Sequence, residues 1–386
     1  MTAQLLPGNR ITLLETGAAY FPALIAAIDS ALHEIHLESY IFEHDATGIL
    51  VASALAAAAM RGVKVRVMVD GFGGRGFERN TAPQLLAAGV EVMLFRRELG
   101  FFKIRRHRLR RLHRKLSIFD QKLAFVGGIN IIDDMHTPKQ IPPRFDYAVS
   151  VEGPLVAPIQ EAVNELWDLM SWANFKHRPH PHYPKPTPSQ PAGNVHAAFV
   201  LRDNLRHRKD IEHAYLAGIA RARHDVIIAN AYFLPGKQFR DALIEASRLG
   251  VRVTLLLQGR VEYWLLHHAC RALYPHLLAS GIHIVEYRKS FLHAKVAVMD
   301  DGWATVGSSN IDPFSLLLAR EANVIVRDRA FTAELRDSLM RAIRDGGVAL
   351  TREDWQRQPR LARLVSWAAY GLVRLLIGLA GYAKQH

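Results

Sequence analysis

At 386 residues the chain suits two domains of ordinary size or one large bilobal unit, and its 49% hydrophobic content supports a substantial core rather than a disordered tail. The single cysteine, Cys270, excludes an intramolecular disulfide framework and fits a reducing compartment. A formal net charge of +13, before any of the 19 histidines is counted, predicts attraction to a polyanion, either nucleic acid or an anionic membrane, or simply a basic soluble protein.

Met1 to Arg10 lacks a basic stretch followed by an apolar run, so no secretory signal is expected there. Phe21 to Leu32 has helical periodicity and Glu34 to Phe42 reads as a strand. Gly48 to Met60 follows as an Ala-rich helix and Val63 to Val69 as a buried strand. Gly71-Phe-Gly73-Gly-Arg-Gly76 fits the spacing of a dinucleotide-binding turn. A loop near a site mouth is the stronger reading, because the second half has Gly259-Arg-Val-Glu there. Phe101 to Leu112 is a basic, partly apolar insert without a second-half counterpart, suited to an anionic bilayer surface; a nucleic-acid-binding arm fits its charge but makes less use of Phe101, Phe102, Ile104, Leu109 and Leu112. Phe175 to Pro191 is Pro- and His-rich and reads as a linker. Its His177, His180 and His182 lack the cysteine or carboxylate partners of a metal site, and no metal or cofactor is expected.

The second half repeats the first. Lys209 to Arg221, Val226 to Phe233, Lys237 to Leu249 and Val251 to Leu257 recur in the order helix, strand, helix, strand. Arg61-Gly-Val-Lys-Val-Arg-Val-Met-Val-Asp-Gly71 is matched by Leu249-Gly-Val-Arg-Val-Thr-Leu-Leu-Leu-Gln-Gly259, and Leu85-Leu-Ala-Ala-Gly-Val90 by Leu277-Leu-Ala-Ser-Gly-Ile282. The expected fold class is α/β, an α/β/α sandwich duplicated in the two halves. The expected boundaries are 1–174 for the first lobe, 175–195 for the linker, 196–350 for the second lobe and 351–386 for a C-terminal helix. Leu364 to Tyr382 approaches the length of a membrane span, but Arg374 in its middle makes crossing costly. A peripheral or shallowly inserted helix and a helix packed on the second lobe both fit the pattern.

The chemistry is carried by two motifs of one spacing. The first is His113-Arg-Lys115-Leu-Ser-Ile-Phe-Asp120, with Gly127-Gly-Ile-Asn130 after it. The second is His293-Ala-Lys295-Val-Ala-Val-Met-Asp300, with Gly307-Ser-Ser-Asn310 after it. Residues two apart on a strand share a face, so each His and its Lys project together. Asp120 and Asp300 lie an odd number of steps from His, on the opposite face. They are grouped with the catalytic set as motif members, and a structural role is the expectation.

This pair resembles the phospholipase D superfamily, and the resemblance implies phospholipase D-like lobes related by a pseudo-two-fold with one active site between them. The residue types fit attack on an anionic phosphodiester. Lys115 and Lys295 supply cations, Asn130 and Asn310 donate to non-bridging oxygens, one imidazole attacks phosphorus and the other protonates the leaving alkoxide. The resemblance implies that each His is oriented by an acid further along its own half, at Asp146 and Glu321, and it favours His113 as nucleophile. Gly128 stands where the second half has Ser308, so a hydroxyl contribution to substrate binding is expected from Ser308 alone.

Asn9-Arg-Ile-Thr-Leu-Leu-Glu15, Ile227-Ile-Ala-Asn-Ala-Tyr-Phe233 and Trp303-Ala-Thr-Val-Gly-Ser-Ser-Asn310 carry a closer resemblance, to the bacterial cardiolipin synthases of the B type. It extends from about Gly8 to about Gly346, without the two N-terminal membrane spans of the major bacterial cardiolipin synthase. It implies phosphatidyl transfer between two phosphatidylglycerols through a phosphohistidine, with anionic phospholipid substrates and a peripheral place on the cytoplasmic face of the membrane. Nucleic acid is not expected as a partner, and the oligomeric state is left open. A phospholipase D-type hydrolase or a phosphodiesterase nuclease would share every catalytic residue, and a non-catalytic membrane scaffold would need neither motif.

Overall fold

The computed structural model describes residues 4–96, 111–137, 140–173, 189–203, 206–312 and 319–379. The first lobe begins with β1 (Leu6–Glu15), α1 (Thr16–Ser30), β2 (Glu34–Ser39), α2 (Ala46–Met60) and β3 (Lys64–Asp70). It continues through α3 (Arg75–Asn80), α4 (Ala82–Ala87), β4 (Glu91–Phe95), β5 (Arg111–Leu112) and β6 (Lys115–Phe119). It ends with β7 (Leu123–Gly127), β8 (Arg144–Phe145), β9 (Tyr147–Glu152) and α5 (Val156–Ala173).

The second lobe repeats this order. It comprises β10 (Val195–Arg202), α6 (Asp210–Ile219), β11 (Asp225–Asn230), α7 (Lys237–Arg248), β12 (Arg252–Gln258), α8 (Trp264–Arg271), α9 (Tyr274–Ala279) and β13 (His283–Tyr287). Next come β14 (Phe291–Leu292), β15 (Lys295–Met299), β16 (Trp303–Gly307), β17 (Ala319–Arg327) and α10 (Arg329–Gly346). β18 (Gly347–Leu350), α11 (Arg352–Gln356) and α12 (Arg360–Leu379) complete the described chain. The linker 175–188 and most of the basic insert lie outside the described residues.

Each lobe is the expected α/β/α sandwich, but the two are not separate sheets. One sheet runs β18-β13-β12-β11-β15-β16-β17-β10-β1-β9-β7-β6-β2-β3-β4. The join is the antiparallel β1–β10 pair, where Leu6 meets Ala197 and Asn9 meets Val195. Buried Asn9 clamps it: its amide donates to Leu6 O at 2.7 Å and Val195 O at 3.3 Å and its Oδ1 accepts from Leu155 N at 2.8 Å. The parallel strands β3 and β12 are buried along most of their length, through Val65, Val67, Met68 and Val69 in one and Val253, Leu255, Leu256 and Leu257 in the other, as strands between two helical layers are.

On one face, α1 and α2 bury Leu24, Ile28, Val51 and Leu55 against the first lobe, while α6 and α7 bury Tyr215, Phe239 and Leu243 against the second. On the other face, α5 and α10 set Ile159, Val163, Leu335 and Leu339 into a core that both lobes share. That shared core is what holds the lobes at a fixed angle around the site.

Candidate active site

The strand before each motif crosses to the other lobe. β5 pairs in parallel with β17, Arg111 opposite Ala319 and Leu112 opposite Arg320, and His113 N then donates to Arg320 O at 2.9 Å. β14 pairs in parallel with β8, Phe291 opposite Arg144 and Leu292 opposite Phe145, and His293 N donates to Phe145 O at 2.8 Å. The next residue on each partner strand is an acid, so backbone register alone brings Glu321 beside His113 and Asp146 beside His293.

The side chains follow. His113 Nδ1 lies 3.0 Å from Glu321, and His293 Nδ1 lies 2.6 Å from Asp146. The pairing is therefore crosswise, which corrects the expectation that each acid serves its own half. With Nδ1 engaged on a carboxylate, the other ring nitrogen, Nε2, is left to react. Each Lys sits two residues on, on the same strand face as its His. Lys115 Nζ donates to His113 O at 2.6 Å. Lys295 Nζ lies 3.2 Å from Asp146 and 2.7 Å from His293 Nδ1, and also donates to His293 O. Alternation sends Arg114 the other way, into a buried bidentate pair with Glu38.

The electrostatics are those of four charges taken out of water. Burial brings the Lys115 ammonium down to about 7, with Lys295 pushing the same way and Glu321 opposing. Lys295 is lowered likewise by burial against the pull of Asp146. Burial and the Lys295 cation bring His293 to about 3 despite Asp146, and burial lowers His113. For Asp146 and Glu321 burial works upward, but the facing lysines and histidines outweigh it and hold both below the usual range.

The remaining expected residues divide. Asn130 and Asn310 line the same cavity as the two histidines, and Asn130 Oδ1 accepts from Ile41 N at 3.1 Å. Ser308 does not reach the cavity. Its buried hydroxyl donates to Glu321 and accepts from Ala322 N at 3.1 Å, so it fixes the acid instead of meeting substrate. The first lobe has Gly128 because there is no room: a Cβ there would lie 2.4 Å from Asp146 Oδ1. Asp120 and Asp300 sit at the far ends of their strands, away from the cavity. Asp120 accepts from the backbone N–H groups of Leu32, His33 and Glu34 at 2.7–2.8 Å. Asp300 does the same for Arg223, His224 and Asp225 at 2.8–3.0 Å. Both take a positive φ, 50° and 45°, to reach those turns.

The cavity, about 270 Å³, is also lined by Tyr40, Arg111, Arg144, Tyr232, Glu262 and Phe291. None of these was singled out from the sequence. A signal existed: Arg111 and Phe291 stand two before each His, and Arg144 and Ala319 two before each acid, where strand alternation returns them to the site face. Among the described residues no cluster suited to a metal ion is present.

The family model described as "Cardiolipin synthase, PLD-like domain" matches residues 24–167 and 215–343. The chain belongs to the cardiolipin synthase family of phospholipase D-like proteins. It is 42% identical over 332 residues to cardiolipin synthase B of Escherichia coli (strain K12), covering 86% of this chain and 80% of that protein. The minor cardiolipin synthase ClsB of Bacillus subtilis (strain 168) is 27% identical over 368 residues, covering 94% of this chain and 88% of the relative. In fold the chain is similar to the crystal structure of phosphatidylserine synthase from Haemophilus influenzae Rd KW20. The TM-score is 0.71 at 12% identity, covering 97% of this chain and 96% of that one. The two matched segments of this cardiolipin synthase family member contain the first and second motifs respectively.

Proposed function

We propose that this chain is a cardiolipin synthase that transfers a phosphatidyl group from one phosphatidylglycerol to another. The observation that carries the reading is the crosswise site: two histidines, each with Nδ1 on a buried acid from the other lobe, and two buried lysines beside one cavity. His113 Nε2 attacks phosphorus, the bond from phosphorus to the head-group oxygen breaks, and His293, protonated on Nε2 once the negative charge of the bound phosphodiester raises the ring from its substrate-free value, delivers that proton to the departing glycerol. The hydroxyl of a second phosphatidylglycerol then gives its proton to His293 and attacks the phosphohistidine, and the phosphorus–nitrogen bond breaks. Lys115, Lys295, Asn130 and Asn310 hold the negative charge that builds on the phosphoryl oxygens. Water as acceptor yields phosphatidic acid by the same route.

The site works at the surface of an anionic membrane, on the cytoplasmic face. Among the described residues no helix is long and apolar enough to cross a membrane. α12 instead packs against α8, burying Ala369 and Val373, and leaves Leu361, Leu364, Trp367, Leu372 and Leu375 on its outer side. Arg360 and Arg374, on the same helix, are exposed as well. An apolar face bordered by arginines suits the boundary between head groups and acyl chains.

The test is product analysis after incubating the purified full chain with phosphatidylglycerol vesicles, with glycerol added, and separately with DNA. Diphosphatidyl product that disappears in His113→Ala and in His293→Ala is the expected result. DNA cleavage without lipid turnover sinks the lipid reading, and vesicle binding without any turnover favours a scaffold. Acid-labile, base-stable label on protein from ³²P-labelled lipid, retained in His293→Ala and lost in His113→Ala, tests the nucleophile.

A further inference from the structure

The pseudo-two-fold accounts for the histidines, lysines, asparagines and their acids, but not for Glu262, a carboxylate that lines the same cavity at its mouth. It follows β12, in the turn that starts at Gly259. In the first lobe the equivalent turn starts at Gly71, because Gly71 N donates to Phe95 O as Gly259 N does to Tyr287 O. Counting along, Glu262 corresponds to Gly74, where a Cβ would lie 2.4 Å from Val69 and 2.8 Å from Asp70 O. The first lobe has no space for a side chain there. The acid therefore adds to the asymmetry already present in Arg144 and its counterpart Ala319.

A carboxylate beside bound phosphodiesters is repulsive unless it meets a hydrogen-bond donor. Glu262 is exposed as a whole residue, but its carboxylate accepts from the Tyr232 phenol and partial burial there raises it above the usual carboxylate range. Arg144 lines the same cavity, and its Nη1 is buried with no hydrogen-bond partner among the described residues. Cation and hydroxyl acceptor are the two groups that a glycerophosphate head group asks for. The flanking Val261, Tyr263 and Trp264 are exposed and apolar, and α8, which starts at Trp264, carries α12 on its side. Glu262 thus stands in an exposed rim of Val261, Tyr263 and Trp264.

We propose that Glu262, held by Tyr232, is the acceptor-specificity residue: it accepts a hydrogen bond from the non-reacting hydroxyl of a polyol head group. This rests on the phosphatidyl-transfer reading above. It favours glycerol-bearing acceptors over water, because a second hydroxyl is needed to satisfy the carboxylate.

The experiment uses the full chain on phosphatidylglycerol vesicles and follows cardiolipin, phosphatidic acid and the labelled phosphoenzyme together. In Glu262→Ala the ratio of cardiolipin to phosphatidic acid falls about tenfold or more, the worth of one hydrogen bond to a charged group. Glu262→Gln, which keeps an acceptor oxygen, recovers part of that ratio. The rate of phosphoenzyme formation falls by a smaller factor than the ratio does. An unchanged ratio, or equal falls in all three readouts with the variant folded by circular dichroism, overturns the assignment. Wild-type protein that turns over no lipid overturns the phosphatidyl-transfer reading, and the acceptor site with it.

Discussion

Replacing Asp146 by Asn separates the two halves of the site in a way that only crosswise pairing predicts. Asp146 accepts from His293 Nδ1 at 2.6 Å, from Lys295 Nζ at 3.2 Å and from Tyr147 N at 2.8 Å. Asn keeps the last contact but leaves the fully buried Lys295 without its counter-charge. Removing one member of a buried ion pair costs roughly 3–5 kcal/mol, and loss of the Lys295 proton caps the penalty. The catalytic cost falls on His293, whose tautomer and proton are no longer set, and losing a general acid costs about 10²–10⁴-fold. The assay pairs urea denaturation with two substrates, phosphatidylglycerol and a phosphatidyl ester of p-nitrophenol. The second leaving group needs no proton, so with it Asp146→Asn loses far less phosphoenzyme formation than with phosphatidylglycerol, as His293→Ala does, and the loss that remains reports the weakened Lys295 cation. Glu321→Gln loses phosphoenzyme formation with both substrates. The reverse assignment, Asp146→Asn behaving like His113→Ala, refutes the crosswise reasoning.

Asp300→Ala removes an acceptor from three backbone N–H groups, and at about 1 kcal/mol each the protein loses about 2–4 kcal/mol in urea denaturation, while activity per folded molecule persists. Gly128→Ala drives a methyl against Asp146, and kcat falls at least tenfold with the p-nitrophenyl ester least affected; equal loss on both substrates contradicts this. Lys115 titrates near 7 in the folded chain against about 10.4 unfolded, so its cation is present below 7 and lost above. Accordingly kcat/KM declines as pH rises through about 7, Lys115→Arg flattens that limb, and stability gains with pH between about 7 and 10 because the unfolded state binds the extra proton. Leu364→Asp with Trp367→Asp weakens sedimentation with anionic vesicles by about tenfold or more and leaves the melting temperature within a few degrees, since both side chains are exposed.

The elements and the motifs were legible because they obey local rules. Helices and buried strands announce their periods, and identical spacing around His113 and His293 announces a shared site. α1 starts at Thr16, five residues before the apolar period does, because β1 turns directly into it at a residue with φ of 60°. Whose acid serves which histidine was not legible. That depends on β5 and β14 crossing to the other lobe, two-residue strands with no pattern of their own. Ser308 misled for a related reason: a hydroxyl in a phosphate-binding motif reads as a ligand contact, yet here the longer Glu321 needs it as a brace. Strand parity sets Asp120 and Asp300 apart from the histidines, and both carboxylates accept from backbone N–H groups away from the cavity. The face of α12 was half legible, since one amphipathic pattern describes both a packed helix and a membrane-lying one, and here the same helix has a buried side and an apolar exposed side.

The exchange of strands before each histidine also bears on how such a chain came to exist. A protein made of one repeat would carry a histidine and lysine whose acid lies out of reach on its own backbone. It would complete a site only by lying against an identical copy, each giving the other its short strand and its carboxylate, as an isologous dimer does. Joining two such copies in one chain frees the halves to differ. Gly128 against Ser308, Asp146 against Glu321 and Gly74 against Glu262 are the differences that a symmetric dimer could never have held.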